Sequence, residues 1–281
     1  MKNNAIGILG LGFLGTELLR IRDWGPDSWA TTRVAGAQLS GSVQSVLFDW
    51  SQPELWKNLP ETPVTLVLTI PPLLRDAEAE ATRLRQWARW MNQQRPHCRK
   101  IIYISSTGVY PDQEGVWEEN TTFIADTVNG ALRLTTEQVL REFFELKVIR
   151  PGGIYGRERN LITRLIHQQT IPETLRPTHR IHVRDLASIL SLLIRDPDAP
   201  ELINAVDLDP MPSVLALVEL AQHPEWFPGV ESSVWASVRK LPQPDPTLIK
   251  NRLIANQLLV NRIQYPFQFP TFREGFPACF R

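Results

Sequence analysis

The sequence predicts an α/β protein: a doubly wound parallel sheet with a smaller, loop-rich C-terminal lobe. Three observations carry that expectation. Short apolar runs alternate with stretches of helical spacing through most of the 281 residues, the pattern of a sheet with helices on both faces. Several runs are β-branched and apolar at successive positions, as strands covered on both sides should be. After about residue 207 the texture changes. Ten of the 23 prolines fall in 207–281, interleaved with aromatic residues in "HPEWFPG" and "YPFQFPTFREGF".

The expected strands, in order, are 5–9 "AIGIL", 28–32 "SWATT", 43–48 "VQSVLF", 64–70 "VTLVLTI", 100–104 "KIIYI", 146–150 "LKVIR" and 202–206 "LINAV". Between them, Ala77, Ala81, Leu84, Ala88 and Met91 share one helical stripe. Leu132, Val139, Phe143 and Leu146 share another. The first stripe steps by four and three, as helix-pairing seams do. A homodimer seam and a plain cover for the sheet both account for it. The sheet domain is expected over 1–156, completed by about 182–206. Residues 157–181 and 207–281 form the smaller lobe, with one helix at about 247–260. Lys250 and Arg252 then stand on that helix, either meeting an anion or facing solvent.

The bulk numbers exclude several function classes. Lys+Arg and Asp+Glu are both 30, so no net field draws in nucleic acid or an anionic membrane. Cys98 and Cys279 are too few for a disulfide framework. The N-terminus lacks a signal-peptide core. The longest near-apolar run, 64–74, is broken by Pro71 and Pro72 and is too short to span a bilayer. The expected setting is cytoplasmic. His179 and His182 form an HxxH, but no further ligands fall at zinc spacing, so no metal site is expected.

The first strand runs into "LGLGFLG" and then a helix. Gly10, Gly12 and Gly15 form GxGxxG in the context that dinucleotide-binding Rossmann folds require. Gly10 permits the tight turn, Gly12 lets backbone approach a pyrophosphate, and Gly15 lets helix pack on sheet. The helix opening at Phe13 and Leu14 presents its N-terminus to the anion. The second strand ends "ATTR". No carboxylate stands there to take ribose hydroxyls, whereas Thr31, Thr32 and Arg33 suit a 2′-phosphate. This predicts NADP over NAD, although an exposed arginine at a strand end is common. Asp49 and Trp50 close the third strand, where an adenine edge or a simple turn would each suit them. Ile70, Pro71 and Pro72 end the fourth in a stiff, donor-free corner, fit for the wall of a cofactor site or for a plain loop.

The fifth strand carries "KIIYISSTGVYPDQ" (100–113), and later come "VIRPGGIYGRERN" (148–160), "RIHVRDLASIL" (180–190), "INAVD" and the "YPFQFPTFREGF" ending. In this order they resemble the extended short-chain dehydrogenase/reductases, the family of NAD-dependent epimerases and dehydratases, over nearly the whole chain. The resemblance implies an NAD(P) site that also uses Pro151, Gly152 and Gly153, and a nucleotide-sugar or small hydroxy/carbonyl substrate. Two departures point to the atypical, YeeZ-like branch. The glycine loop is GxGxxG rather than GxxGxxG. The family's Tyr-x-x-x-Lys helix, registered on Glu137, has Asn129 for the tyrosine and Arg133 for the lysine.

The resemblance therefore names Ser106, in the register of the family's catalytic serine, to orient a substrate oxygen. Arg133 would hold the nicotinamide ribose, with a charge it cannot lose. The missing phenol needs a substitute, and Tyr110, Tyr155 and His182 are the candidates; a strand-end serine and a helix-surface arginine remain the simpler readings. Hydride transfer is the leading expectation. The alternative is a non-catalytic NADP-binding sensor or scaffold.

Overall fold

Eleven strands and eight α-helices occur among the described residues, which in this computed structural model are 5–39, 41–62, 65–167, 175–241 and 245–281. Val64, at the start of the fourth expected strand, and residues 168–174 of the expected lobe lie outside them. The strands are β1 (Ile6–Leu9), β2 (Trp29–Thr32), β3 (Gln44–Leu47), β4 (Thr65–Leu68), β5 (Lys100–Ile104), β6 (Gly115–Trp117), β7 (Glu145–Pro151), β8 (Gly153–Tyr155), β9 (Arg180–His182), β10 (Leu202–Ala205) and β11 (Arg252–Ile254). The helices are α1 (Phe13–Arg20), α2 (Ala77–Gln94), α3 (Val128–Phe143), α4 (Leu161–Ile166), α5 (Val183–Arg195), α6 (Ser213–Leu220), α7 (Ser232–Val238) and α8 (Phe272–Ala278).

The seven runs expected as strands are the seven strands of one parallel sheet, in the order β10-β7-β5-β4-β1-β2-β3. The order reverses at β1, which pairs with β2 on one side and β4 on the other. That reversal is the topological switch point where open α/β sheets bind ligands. Two compact units contain the chain. One comprises 1–111, 122–150 and 187–203; the other comprises 112–121, 151–186 and 204–281.

In the first unit, α2 begins at Asp76, whose carboxylate accepts from Ala79 N–H at 2.7 Å. Ala81, Leu84, Ala88 and Met91 are buried as the stripe requires, joined by Trp87 at 0% exposure, whereas Ala77 is exposed. Burying each of the large side chains contributes about 1.5–3 kcal/mol. Helices α2 and α3 pack side by side, tied by the Arg85–Glu142 ion pair at 2.9 Å. The second stripe needs one correction. Helix α3 ends at Phe143, Phe144 turns extended, and Leu146 belongs to β7.

The second unit has its own core, in which Tyr155, Ile162, Leu217, Trp235, Phe272 and Phe276 meet. Here the expected helix at 247–260 is not found. The segment forms a 3₁₀ turn at Pro246–Leu248, strand β11, and a π turn at Leu258–Arg262. Arg252 and Ile254 point inward while Leu253 faces out, and Arg252 pairs with Gly115 in a parallel register with β6. Long-range pairing overrides local helical spacing. Arg252 is consequently buried, not on a solvated helix face.

Candidate functional site

The ends of β1, β2, β3 and β4 enclose a cavity of about 390 Å³. Nine of the residues singled out in the sequence line it: Gly10, Gly12, Thr31, Thr32, Arg33, Asp49, Trp50, Ile70 and Pro71. Pro72 is not among the lining residues; Leu73 is. The turn after β1 is built by Gly10 at φ +98°, a conformation side chains rarely adopt. A Cβ there would fall 2.6 Å from Ile70. Two threonines hold the turn in place. Thr31 Oγ1 accepts from Gly10 N–H at 2.8 Å, and Thr69 Oγ1 donates to Leu9 O at 3.2 Å and to Gly10 O. Thr31, expected among the hydroxyls for a 2′-phosphate, is 2% exposed and braces the glycine turn. Thr69 was not expected there, its signal being a hydroxyl at the end of a strand flanking the turn.

Beyond the turn, nothing lies within 4 Å of where a Cβ on Gly12 would stand, so backbone is open to a ligand. Gly12 precedes α1 without any side-chain cap. Phe13 and Leu14 form the helix's first turn, and a Cβ on Gly15 would sit 3.3 Å from Gly10 O. Arg33 is exposed at the cavity. Asp49 accepts from the Ser51 hydroxyl at 2.6 Å and its N–H at 2.8 Å, which hold its carboxyl below the usual range; Arg33 adds a smaller pull. Trp50 packs on Trp87 at 4.8 Å between ring centres, under the Arg83 guanidinium.

At the end of β5, Ser106 is half-buried and its Oγ accepts from Gly108 N–H at 3.0 Å. Arg133 docks on the same strand end, Nη1 donating to Ser105 O at 3.0 Å and Ile104 O at 3.2 Å. Asn129 is exposed in the first turn of α3. Tyr110 stands elsewhere than an open site. It is 2% exposed, and its hydroxyl accepts from Arg150 Nη1 at 2.9 Å. Arg150 also grips Glu137, which takes the Ser105 hydroxyl at 2.6 Å. The Tyr103 phenol is fully buried, and burial pushes its pKa up to about 12.

In the second unit, β8 and β9 pair in parallel. Pro151, Gly152 and Gly153 lead into β8, and a Cβ on Gly152 would lie 2.5 Å from His179 O. Of the three, Gly153 lines a cavity of about 1020 Å³ that is wholly within this unit. Its walls carry Arg159, Arg164, Arg176, Arg180, Lys250 and His167 against Asp112 and Glu158. The cations were scattered in the sequence; folding brings them together. Tyr155 also lines this cavity but is 4% exposed, and burial raises its pKa. His182 is 5% exposed and burial lowers it to about 4; His179 is lowered to about 3 by the same cause. Its Nε2 accepts from Ile254 N–H at 2.9 Å. The fourth tyrosine, Tyr265, donates to Asp185 at 2.8 Å. No tyrosine therefore presents an unengaged, exposed phenol. Among the described residues, no cluster of His, Cys, Asp or Glu is placed to hold a metal, and no helix is long and apolar enough to cross a membrane.

Comparison with known proteins agrees with this geometry. No protein-family model matches the chain. It is 26% identical over 212 residues to protein YeeZ of Escherichia coli K12, covering 71% of this chain and 76% of that one. A structure assigned as an NAD-dependent epimerase/dehydratase from Methylobacillus flagellatus superimposes with a TM-score of 0.70 at 25% identity, covering 99% and 98% of the two chains. A UDP-N-acetylglucosamine 4-epimerase from Bacillus cereus shares the fold, with a TM-score of 0.71 at 14% identity and 98% of each chain covered. The sheet order and glycine turn define a Rossmann-fold protein. The chain is similar to YeeZ and to a structure assigned as an NAD-dependent epimerase/dehydratase.

Proposed function

We propose that this protein binds NADP through the first unit's cavity and acts by hydride transfer on a nucleotide-sugar or related hydroxy/carbonyl substrate. The observation that carries the reading is the meeting of Gly10, Gly12, Thr32, Arg33 and Asp49 around one cavity at the switch point. The residues fit a dinucleotide. Gly10 has the conformation the turn needs, Gly12 leaves backbone open to a pyrophosphate, and Arg33 stands where a 2′-phosphate would be read. When bound, the nicotinamide ring accepts or donates hydride. Ser106 orients the substrate oxygen, and Arg133, anchored on β5, takes the position of the family lysine. The cationic cavity of the second unit supports a phosphorylated ligand. Structural relatives that bind UDP-glucose with NAD favour the same substrate class.

Titration with NADPH and NADH, followed by quenching of Trp50 and its neighbours, tests the cofactor. Tighter binding of NADPH is expected. Equal or tighter NADH removes the NADP assignment, and no binding of either removes the reading. A second reading, a non-catalytic NADP sensor, is favoured by the lack of an exposed phenol. Nucleotide sugars that change the nicotinamide absorbance of the loaded protein decide for the enzyme. Binding without turnover decides for the sensor.

A further inference from the structure

Asp112, Arg176 and Lys250 come from three separate segments and meet on the wall of the second unit's cavity. Asp112 Oδ1 lies 3.3 Å from Arg176 Nη1, and its Oδ2 lies 3.8 Å from Lys250 Nζ. One carboxylate thus serves two cations, one oxygen to each. The backbone reinforces the arrangement, with Lys250 N–H donating to Leu175 O at 3.4 Å. All three side chains are roughly half exposed. Pairs of that exposure are weak enough to be exchanged.

We propose that Asp112 is a built-in competitor for the ligand's anion: its carboxylate bridges Arg176 and Lys250 in the free protein, and a diphosphate displaces it. The identity of the anion as a nucleotide-linked diphosphate rests on the reading above. The exchange itself follows from charge and shape. A phosphate group offers two oxygens at nearly the spacing of a carboxylate's, so it satisfies the same two cations. It brings more negative charge, and the neighbouring Arg159, Arg164 and Arg180 outnumber Glu158. A polyanion therefore gains more from the cavity than Asp112 gives up. A weakly charged ligand does not. Asp112 is in this sense a specificity residue, setting a threshold of ligand charge. Because the groups are exposed, added salt lowers that threshold effect.

The test measures binding of UDP, inorganic pyrophosphate and uridine by calorimetry at low salt. Wild type is compared with Asp112→Asn, Arg176→Ala and Lys250→Ala, and melting temperatures check that each variant folds. Asp112→Asn is expected to tighten UDP and pyrophosphate about fivefold, and each cation variant to weaken them by a similar factor. Uridine binding should not change. If Asp112→Asn leaves affinity unchanged or weakens it, Asp112 merely braces the wall and the proposal falls. It also falls if wild type binds UDP but not pyrophosphate, or binds neither. NADPH titration of the same preparations separates the two readings. NADPH binding without any diphosphate response overturns this proposal alone. A diphosphate response of the expected kind without NADPH binding overturns the dinucleotide reading and leaves this one standing.

Discussion

Arg150 holds Glu137 by two parallel contacts, Nη2 to Oε2 at 2.7 Å and Nε to Oε1 at 3.2 Å, with the side chains only 6% and 8% exposed. The pair links β7 to α3, and its remaining valences take the Ser105 hydroxyl and the Tyr110 phenol. It thereby fixes the strand end that carries Ser106. Removing one partner leaves a buried charge without its counterion, which costs about 3–5 kcal/mol. Glu137→Leu alone and Arg150→Met alone should each show that loss in urea unfolding. The double variant should recover much of it, because the desolvation cost goes with the pair. Single losses below about 1 kcal/mol would mean that the network is not what holds the strand end.

Gly130 opens α3 against the turn that follows Ser106. A Cβ at this position would fall 2.7 Å from Gly108 O, a backbone atom that cannot swing aside. Gly130→Ala should therefore cost about 1–3 kcal/mol by overpacking, read as a lower melting temperature. Ala131→Gly, in the same turn, is the comparison, since it adds no atom. Helix propensity favours Gly130→Ala and disfavours Ala131→Gly, so a Gly130→Ala protein that melts no lower than wild type would show that the close approach carries no cost.

The sheet was legible because each of its strands is a short apolar run bounded by turns, a signal local to the sequence. The second unit was not. Strands β6, β8, β9 and β11 are three residues each, too short for alternation to register. Their pairing joins residues as distant as Gly115 and Arg252. Helix α8 did leave a sign that went unread. Thr271 and Glu274 form a capping box, with Thr271 Oγ1 bonded to Glu274. The glycine turn was legible because its positive φ demands glycine. The phenol question was not, because whether Tyr110 and Tyr155 face outward depends on packing rather than on spacing.

Arg33 is the residue expected to distinguish NADP from NAD in the proposed site. It is exposed at the cavity, and no acidic residue stands beside it on β2. Arg33→Ala should weaken NADPH about tenfold, the loss of one charge-assisted contact, and leave NADH nearly unchanged. Gly10→Ala should abolish binding of both, since its Cβ would strike Ile70 and Thr69 and strain a φ of +98°. If Arg33→Ala weakens both cofactors alike, Arg33 supports the cavity rather than reading the 2′-phosphate.

Three buried groups in the second unit set a stability maximum near pH 6.5. Burial lowers His179 to about 3 and His182 to about 4, from an ordinary 6.5. Between those values the unfolded chain takes up protons that the folded chain refuses, so their contribution is complete above 6.5 and lost as pH falls. Asp207 acts in the opposite sense. Burial raises it to about 8 from 3.8, the nearby Arg180 and backbone hydrogen bonds from Arg180 and Asp209 offsetting only part of the effect. The folded chain keeps that proton while the unfolded chain has released it. Its contribution is therefore complete below 3.8 and declines as pH rises through 8. The two histidines outweigh one carboxyl below 6.5, and above it Asp207 alone remains. Thermal unfolding by calorimetry should rise to about pH 6.5 and then fall. Asp207→Asn should remove the fall between 6.5 and 8 and steepen the rise below it. An Asp207→Asn protein whose stability falls across that window as steeply as wild type would show that the Asp207 carboxyl does not carry the loss.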